Sequence, residues 1–384
     1  MLDDYFFSED FTEILRRYET SRDTSASVYM DCDDFLDIAE YYIDKKRFDD
    51  AEKCMLLAYE QHPKEKEVTL MMADIIFEAE DWKRAVTWLE KVIDLDPFSM
   101  PAWLNLTDCY IHLDNMEKAL EAVEYASALN PDEPQVSIFM AVIYTHTERY
   151  AEAEELYEKY LRQFPDDDVA LYHAACNYSF IEKYDKAAEF LAKAERVCKN
   201  NEDGLFNIFL QRAYVEARRS NKGTALSYMD KAKKCSSTEP SSELEVLEGH
   251  IYLMFGEKVK AGKLFCEAIA NSNNQYYTMH GIIQMYIDCK YYDLAIELLE
   301  SLESSVNNDD VETLAQVHAL THPPLAYCYL CMGNKQNFLK YIDSAAFYNE
   351  NETKSLFSGM FPEEAKVSEY RYYGERLIGL EGIS

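Results

Sequence analysis

The chain has 384 residues, of which 71 are acidic and 38 basic, so its formal net charge is −33 at pH 7. Nucleic acid and anionic membrane surfaces are poor partners for it, because both are bound through clustered Lys and Arg. No apolar run reaches the ~20 residues that a spanning helix needs, and the acidic N-terminus is unlike a secretion signal. The ten scattered cysteines show no disulfide framework, so we expect a cytoplasmic protein.

Residues 1–31 are the first predicted element, an acidic segment. Within it, Phe11, Ile14, Leu15 and Tyr18 recur at helical spacing. A stack of helices needs a terminal element with one polar face, because its end would otherwise expose an apolar patch. We therefore expect this segment to cap the N-terminal end of the fold.

From residue 32 onward, two residue types share one period. Prolines and alanines each recur every 34 residues: Pro63, Pro97, Pro131 and Pro165, and Ala51, Ala85, Ala119, Ala153 and Ala187. A fixed period of this length indicates a repeat architecture in which each unit is one supersecondary element. Residues 32–201 hold five such units without an insertion.

The third unit indicates what each element must be. Trp103, Leu106 and Tyr110 lie three and four residues apart, which predicts a first helix with one apolar face. A second helix carries Ala119 on its inner face, and the turn between the two helices is too short for anything but an antiparallel hairpin. Pro131 has no amide hydrogen, so the second helix must end near it.

The third unit reads Trp103-x2-Leu106-Thr107-x2-Tyr110, then Ala119-x3-Val123, then Pro131. This resembles the tetratricopeptide repeat (TPR), with Thr where that family usually has Gly, and the chain as a whole resembles stand-alone proteins of the family. The resemblance implies an all-α fold, a right-handed α-solenoid of antiparallel helix pairs. It also implies a concave groove lined by the first helix of each pair, helix A.

Beyond the five regular units the period slips. Residues 202–352 are predicted to form four irregular units, the last of which begins after Pro323-Pro324. Residues 353–384 are predicted to form a C-terminal cap with a helix that Pro362 opens. Because each unit shares core with its neighbours, we expect one continuous solenoid.

Candidate catalytic and metal-binding residues are few. Cys328 and Cys331 form a Cys-x-x-Cys pair late in a helix, where the helix dipole does not stabilise a thiolate, so helix packing is the favoured interpretation. His112 and His146 occupy equivalent positions in successive units, but no carboxylate stands beside each at metal-ligand spacing. No phosphate-binding loop or nucleophile elbow is present. We therefore expect no enzyme activity, no cofactor and no metal.

The resemblance implies a partner-binding site on helix A of successive units. Transferring the family's groove positions gives these candidates: Glu40, Leu70, Asp74, Leu104, Asp108, Ile138, Val142, Tyr172, Tyr214 and His250. The groove is expected to be acidic at one end and apolar-aromatic beyond it, which suits a peptide or helix. The Lys, Asn and Arg clamp of the family's chaperone-binding branch is absent. A second interpretation is that some of these side chains pack internally or against a terminal helix.

The leading functional hypothesis is a non-catalytic scaffold or adaptor that binds a protein or peptide, with a basic or an apolar-aromatic segment, in this groove. A second class is an assembly chaperone for a protein client. A third is a regulator that senses a small ligand or a metal. The protein is expected to be a monomer or a weak dimer, and the sequence identifies neither partner nor pathway.

Overall fold

A computed structural model describes residues 6, 8–24, 29–198, 201–235, 242–304, 311–362 and 364–381. Within these ranges the chain forms 21 α-helices and no strand, which confirms the all-α prediction. None of these helices is both long and apolar enough to cross a membrane. The chain divides into two compact units, Met1–Val197 (unit 1) and Cys198–Ser384 (unit 2). The boundary lies close to the predicted end of the regular repeats. The single continuous solenoid stays a prediction.

The described part of unit 1 consists of α1 (Glu9–Thr24), α2 (Cys32–Asp44), α3 (Phe48–Gln61), α4 (Lys66–Glu78), α5 (Trp82–Leu95), α6 (Met100–His112), α7 (Met116–Leu129), α8 (Pro134–His146), α9 (Tyr150–Gln163), α10 (Asp168–Phe180) and α11 (Tyr184–Val197). The described part of unit 2 consists of α12 (Glu202–Arg218), α13 (Lys222–Cys235), α14 (Ser242–Met254), α15 (Lys258–Asn271), α16 (Gln275–Asp288), α17 (Tyr292–Ser304), α18 (Val311–Cys331), α19 (Lys335–Tyr348), α20 (Glu350–Leu356), a 3₁₀ turn (Val367–Glu369) and α21 (Tyr370–Glu381).

The helices α2 to α11 form five hairpins, each an A helix followed by a B helix. The two helices of each hairpin contact each other, and the B helix of each of the first four hairpins also contacts the next A helix. Small residues stand where the helices cross and have no exposed surface: Ala39, Ala73, Thr107, Ala141 and Ala175 on the A helices, and Ala51, Ala85, Ala119, Ala153 and Ala187 on the B helices. The repeated alanines thus set how closely the helices approach.

Tyrosines of the repeat place their rings in the core and their hydroxyls at its edge. Tyr42 and Tyr178 are at most 1% exposed. The Tyr110 hydroxyl donates to a carboxylate oxygen of Glu90, on the preceding B helix, at 3.3 Å. The equivalent Tyr178 donates to Glu158 at 3.5 Å. Because a buried hydroxyl needs a partner, each pair links one hairpin to the next.

Two residues after the last residue of each A helix of unit 1, a residue other than glycine adopts the left-handed backbone conformation. These residues are Lys46, Glu80, Asp114, Glu148 and Glu182, with φ between 55° and 61°. At the α8 end, the Arg149 amide donates to the Tyr144 carbonyl at 2.8 Å. This hydrogen bond closes the helix and reverses the chain. The left-handed turn between the A and B helices therefore cannot be recognised in the sequence from a glycine.

We predict that Glu148→Gly stabilises the chain by about 1 kcal/mol, because a left-handed conformation is unfavourable for an L-residue with a side chain. Glu148→Ala keeps a Cβ at the same φ and is the matched control, for which we expect no gain. Chemical denaturation of both variants measures the difference. Equal stability of the Gly and Ala variants would contradict the strain at this turn.

The prediction that a helix begins after Pro323-Pro324 is wrong, because α18 runs through both prolines. A proline inside a helix leaves the carbonyl four residues earlier without its amide donor. For Pro323 that carbonyl belongs to Ala319, and it accepts a hydrogen bond from Asn349 Nδ2 at 3.3 Å. Asn349 also begins α20, where its Oδ1 accepts from the Glu352 amide at 3.2 Å. One distant side chain thus supplies the donor that the proline lacks.

The predicted start of the last helix at Pro362 is also wrong. The last helix, α21, begins at Tyr370, directly after the 3₁₀ turn. In that turn the Lys366 amide donates to a Glu369 carboxylate oxygen at 3.0 Å, which fixes the entry into α21. The core of unit 2 extends to this end of the chain, where Val367 and Tyr370 are buried.

Candidate functional site

The five A helices of unit 1 bring most of the predicted site residues to one surface. Each A helix contacts the next one, and the candidates occupy equivalent positions along them. We call this surface the A-helix face, and it comprises Glu40, Glu67, Leu70, Asp74, Leu104, Asp108, Ile138, Val142 and Tyr172. Two further candidates, Tyr214 and His250, lie in unit 2.

The candidates on the A-helix face differ in how much surface they offer. Glu40 is exposed, whereas Leu70, Asp74, Asp108, Ile138 and Tyr172 are partly buried. Leu104 and Val142 are only 7% and 6% exposed, so they present almost no surface to a partner. Val169, near the start of α10, is 58% exposed and offers more apolar area than either of them.

Asp74 on α4 is a partly buried carboxylate that forms no ion pair with a Lys or Arg of the described residues. Burial raises the pKa of its carboxyl to about 6, and neighbouring Glu78 adds to the rise. Its Oδ1 accepts one long hydrogen bond, 3.5 Å from Asn105 Nδ2 on α6. No lysine or arginine of the described ranges lowers that pKa. The charged form of Asp74 therefore opposes folding at neutral pH.

Asp108 on α6 has a partner in its own helix. His112 Nδ1 lies 3.4 Å from Asp108 Oδ1, and the His112 ring stacks on Trp82 with centroids 4.2 Å apart. The hydrogen bond to Asp108 raises the pKa of His112. Asp108 is thus partly neutralised when His112 is protonated, whereas Asp74 is not.

Beyond the acidic end, the A-helix face carries a neutral histidine and a tyrosine that packs internally. Burial lowers the pKa of His173 on α10 to about 4, and His146 adds to the effect. The Tyr172 and His173 rings lie 5.3 Å apart. Burial also raises the pKa of Cys176 to about 12, against a smaller opposing effect of a hydrogen bond with Tyr172. Tyr172 is therefore engaged within the unit.

In unit 2, the two remaining candidates stand beside an arginine. The Tyr214 and His250 rings are 6.1 Å apart, and Arg218 donates to the Tyr214 hydroxyl at 3.4 Å. Burial lowers the pKa of His250 to about 4, with Arg218 adding to the effect. Arg218 thus adds a positive charge beside the two aromatic rings at this point.

Further along unit 2, the short helix α20 lies against α16. His280 Nε2 is 3.1 Å from a carboxylate oxygen of Glu352 on α20, and this hydrogen bond raises the pKa of His280. A cavity of about 530 Å³ remains between α16, α18 and α20. Glu352 of α20 thus contacts the A helix α16 at His280.

The Cys328–Cys331 pair is part of α18. Cys328 is buried, and burial raises its pKa to about 12. Redox chemistry needs the thiolate, and Cys328 carries a protonated thiol at neutral pH. This favours helix packing for the pair.

Sequence reasoning overlooked one group of ligand-type side chains, Glu303, His318 and His322. Their nitrogen and oxygen atoms lie within 4.8 Å of one another. The spacing His318-x3-His322 places two imidazoles on one helical face and was the signal that could have found them. Glu303 belongs to another helix, so its contribution is visible only in three dimensions.

Comparison with known families supports the repeat interpretation. Models of the tetratricopeptide repeat match residues 36–99 and residues 76–143 and 116–177. Comparison with curated proteins gives no match.

Solved structures share the fold. A crystal structure of a tetratricopeptide repeat protein from Parabacteroides merdae ATCC 43184 superposes with a TM-score of 0.53 at 17% identity, over 67% of this chain and 98% of that one. The APC/C hetero-tetramer Cut9–Hcn1 gives a TM-score of 0.51 at 16% identity, over 86% of this chain and 63% of that one. At such identities the likeness concerns the fold alone. Together with the 34-residue hairpins, these matches show that residues 36–177 contain tetratricopeptide repeats and that the chain shares the fold of solved tetratricopeptide-repeat proteins.

Proposed function

We propose that the protein is a non-catalytic scaffold that binds a basic segment of a partner protein on the A-helix face of unit 1. Repeat folds of this family generally serve as protein-interaction scaffolds. The observation that carries the finer proposal is Asp74, a partly buried carboxylate whose pKa is raised to about 6. A group that destabilises the fold on a predicted binding face is typical of a functional residue.

A cationic side chain from a partner would relieve this unfavourable charge. A Lys or Arg placed beside Asp74 stabilises the carboxylate and lowers its pKa, and a charge-assisted hydrogen bond adds to the affinity. Glu40 and Glu67 are exposed on neighbouring positions of the same face and add negative potential. Electrostatic attraction of this kind mainly raises the association rate and the selectivity.

Apolar side chains on other positions of the A helices suit the rest of a bound segment. Leu70 and Ile138 are partly buried, and Val169 is 58% exposed. The aliphatic stems of Lys and Arg cover such surface while their charged ends stay in contact with acids. A basic helix or extended peptide with apolar residues is therefore the occupant that we propose.

The test is affinity capture from native cell extract with the double variant Asp74→Asn/Asp108→Asn. The matched control is Glu124→Gln/Glu155→Gln, which removes the same charge from exposed positions on the B helices α7 and α9. We expect about tenfold or greater loss of partner with the first variant, no loss with the control, and weaker capture at high salt. Equal capture by both variants, or equal loss from both, would contradict the proposed face.

An assembly chaperone is the second candidate, favoured by the exposed apolar side chains of A helices, Val169 and Tyr277, which are 58% and 78% exposed. A chaperone should retain several clients of unrelated sequence, and Val169→Ser or Tyr277→Ser should release them. A single partner that is insensitive to both substitutions favours the scaffold.

A further inference from the structure

Helices α17 and α18 bring three metal-ligating side chains together in unit 2. His318 and His322 lie four residues apart on α18, and their rings stack with centroids 4.2 Å apart. Glu303 lies near the end of α17, and its Oε1 is 3.2 Å from His322 Nε2. One ligand atom from each of the three residues falls within 4.8 Å of the other two.

The two histidines have hydrogen-bonding capacity that the protein leaves unused. The Nδ1 atoms of both His318 and His322 are buried without a hydrogen-bond partner. A buried polar atom without a partner is unfavourable and uncommon in native structures. A neutral imidazole has one nitrogen lone pair to give to a metal ion. In His322 the unpartnered atom is Nδ1, whereas Nε2 is the atom beside Glu303, so ligation through Nε2 uses the tautomer that carries its proton on Nδ1.

The distances are close to those of an assembled site. A zinc ion lies about 2.0–2.1 Å from nitrogen or carboxylate ligands, so ligand atoms in a tetrahedral site are separated by about 3.3 Å. The Glu303 to His322 separation of 3.2 Å already has this value. The third ligand atom, on His318, lies within 4.8 Å of the other two.

A neighbouring hydroxyl orients the carboxylate. Thr321 is fully buried, and its Oγ1 donates to Glu303 Oε1 at 2.7 Å. Supporting hydrogen bonds of this kind hold ligands in place at metal sites. The rings of Tyr341 and Tyr348 stand 5.2 and 5.6 Å from the His322 ring, which limits access of water.

The charges around the cluster favour a divalent cation. Lys340 on α19 is a cation on which Glu303 acts electrostatically, and its Nζ donates to the Tyr341 hydroxyl oxygen at 2.8 Å. Glu300, one turn before Glu303, also raises the pKa of Lys340, as Glu303 does. Glu300, Glu303 and Lys340 together carry a net negative charge, which a bound cation offsets.

We propose that Glu303, His318 and His322 bind one divalent transition-metal ion of the zinc type. Two imidazoles and a carboxylate are ligands that suit Zn²⁺. Three protein ligands leave a fourth position for water or for a side chain of a bound partner. The ion would tie α17 to α18, and the site goes beyond the proposed scaffold function, which needs no metal.

The experiment titrates the metal-stripped full chain with ZnCl₂ at pH 7 against a chromophoric chelator. We expect one equivalent to bind, with affinity at least ~100-fold lower in His318→Ala/His322→Ala and about tenfold lower in Thr321→Val. Zinc should raise the melting temperature of the wild type, because it binds only the folded state, but not that of the double variant. Glu303→Gln, of nearly the same shape, is the second variant should the histidine pair prove necessary for folding.

Control measurements separate this site from the ten cysteines. The variant His112→Ala/His146→Ala removes two histidines of unit 1 and should bind zinc like the wild type. With CoCl₂, a site of nitrogen and oxygen ligands gives visible bands without thiolate charge transfer. The proposal is overturned if the wild type binds no stoichiometric zinc. It is equally overturned if the bound cobalt shows thiolate bands that the Glu303, His318 and His322 substitutions leave unchanged.

Discussion

Asp74→Asn is expected to stabilise the protein at pH 7 by about 1–3 kcal/mol. The folded-state pKa of about 6 exceeds the ordinary value by about two units, which corresponds to about 3 kcal/mol. Solvent screening of a partly exposed carboxylate lowers that figure. Asn removes the charge and retains an oxygen that can accept the hydrogen bond from Asn105.

The direction of the stability change with pH follows from the rise of the Asp74 pKa on folding. Because the carboxyl pKa is raised on folding, Asp74 is destabilising above pH 6, and this effect disappears as the pH falls below the unfolded value near 4. The stability difference between Asp74→Asn and the wild type should therefore shrink from pH 7 to pH 4. Denaturation curves at several pH values measure it. Glu124→Gln controls for the general loss of one negative charge, and equal stabilisation by both variants at all pH values would contradict the account.

Asn349→Ala is expected to destabilise the protein by about 2–4 kcal/mol. Its Oδ1 caps α20, and loss of such a cap costs about 1 kcal/mol. Its Nδ2 also serves the Ala319 carbonyl that Pro323 leaves without a donor, and an unpaired backbone group costs about 1–3 kcal/mol when buried. The two effects come from one side chain and should add.

Asn334 provides the matched control for this substitution. It caps α19 through a hydrogen bond from the Asn337 amide at 3.2 Å, and among the described residues its side chain does not donate to a carbonyl that a proline leaves without its donor. Asn334→Ala should therefore cost only about 1 kcal/mol. Comparable losses of unfolding free energy in the two variants, measured by urea denaturation, would show that the Ala319 carbonyl obtains a hydrogen bond from another donor.

The repeat fold could be predicted because its determinants are local and periodic. Ala119 and Thr107 mark helix crossings, and Pro131 marks the end of a helix. The left-handed residues at the A–B turns, such as Asp114 and Glu148, could not be predicted, since they carry no glycine and their conformation follows from the hairpin that they close. Local chemistry thus fixes the helices, and tertiary packing fixes the turns.

The features that could not be predicted from the sequence depend on contacts between residues that are far apart in the chain. From the sequence, Pro323 predicts a helix break. The sequence does not show that Asn349, 26 residues later, donates to the Ala319 carbonyl that Pro323 leaves without a donor. The raised pKa of Asp74 depends on burial against the neighbouring repeat. Likewise, Glu303 joins His318 and His322 only when α17 packs on α18. Chain spacing alone does not show any of these contacts.

The central claim, that the A-helix face of unit 1 binds a basic partner segment, is tested most directly by site-specific photo-cross-linking in the native cell extract. A photoreactive residue replaces Glu67, which is exposed on that face, or Glu124, which is exposed on a B helix. The account predicts an adduct from position 67 in which the attached partner peptide contains Lys or Arg, and none from position 124. Adducts from position 124 alone, or partner peptides from position 67 without basic residues, would contradict it.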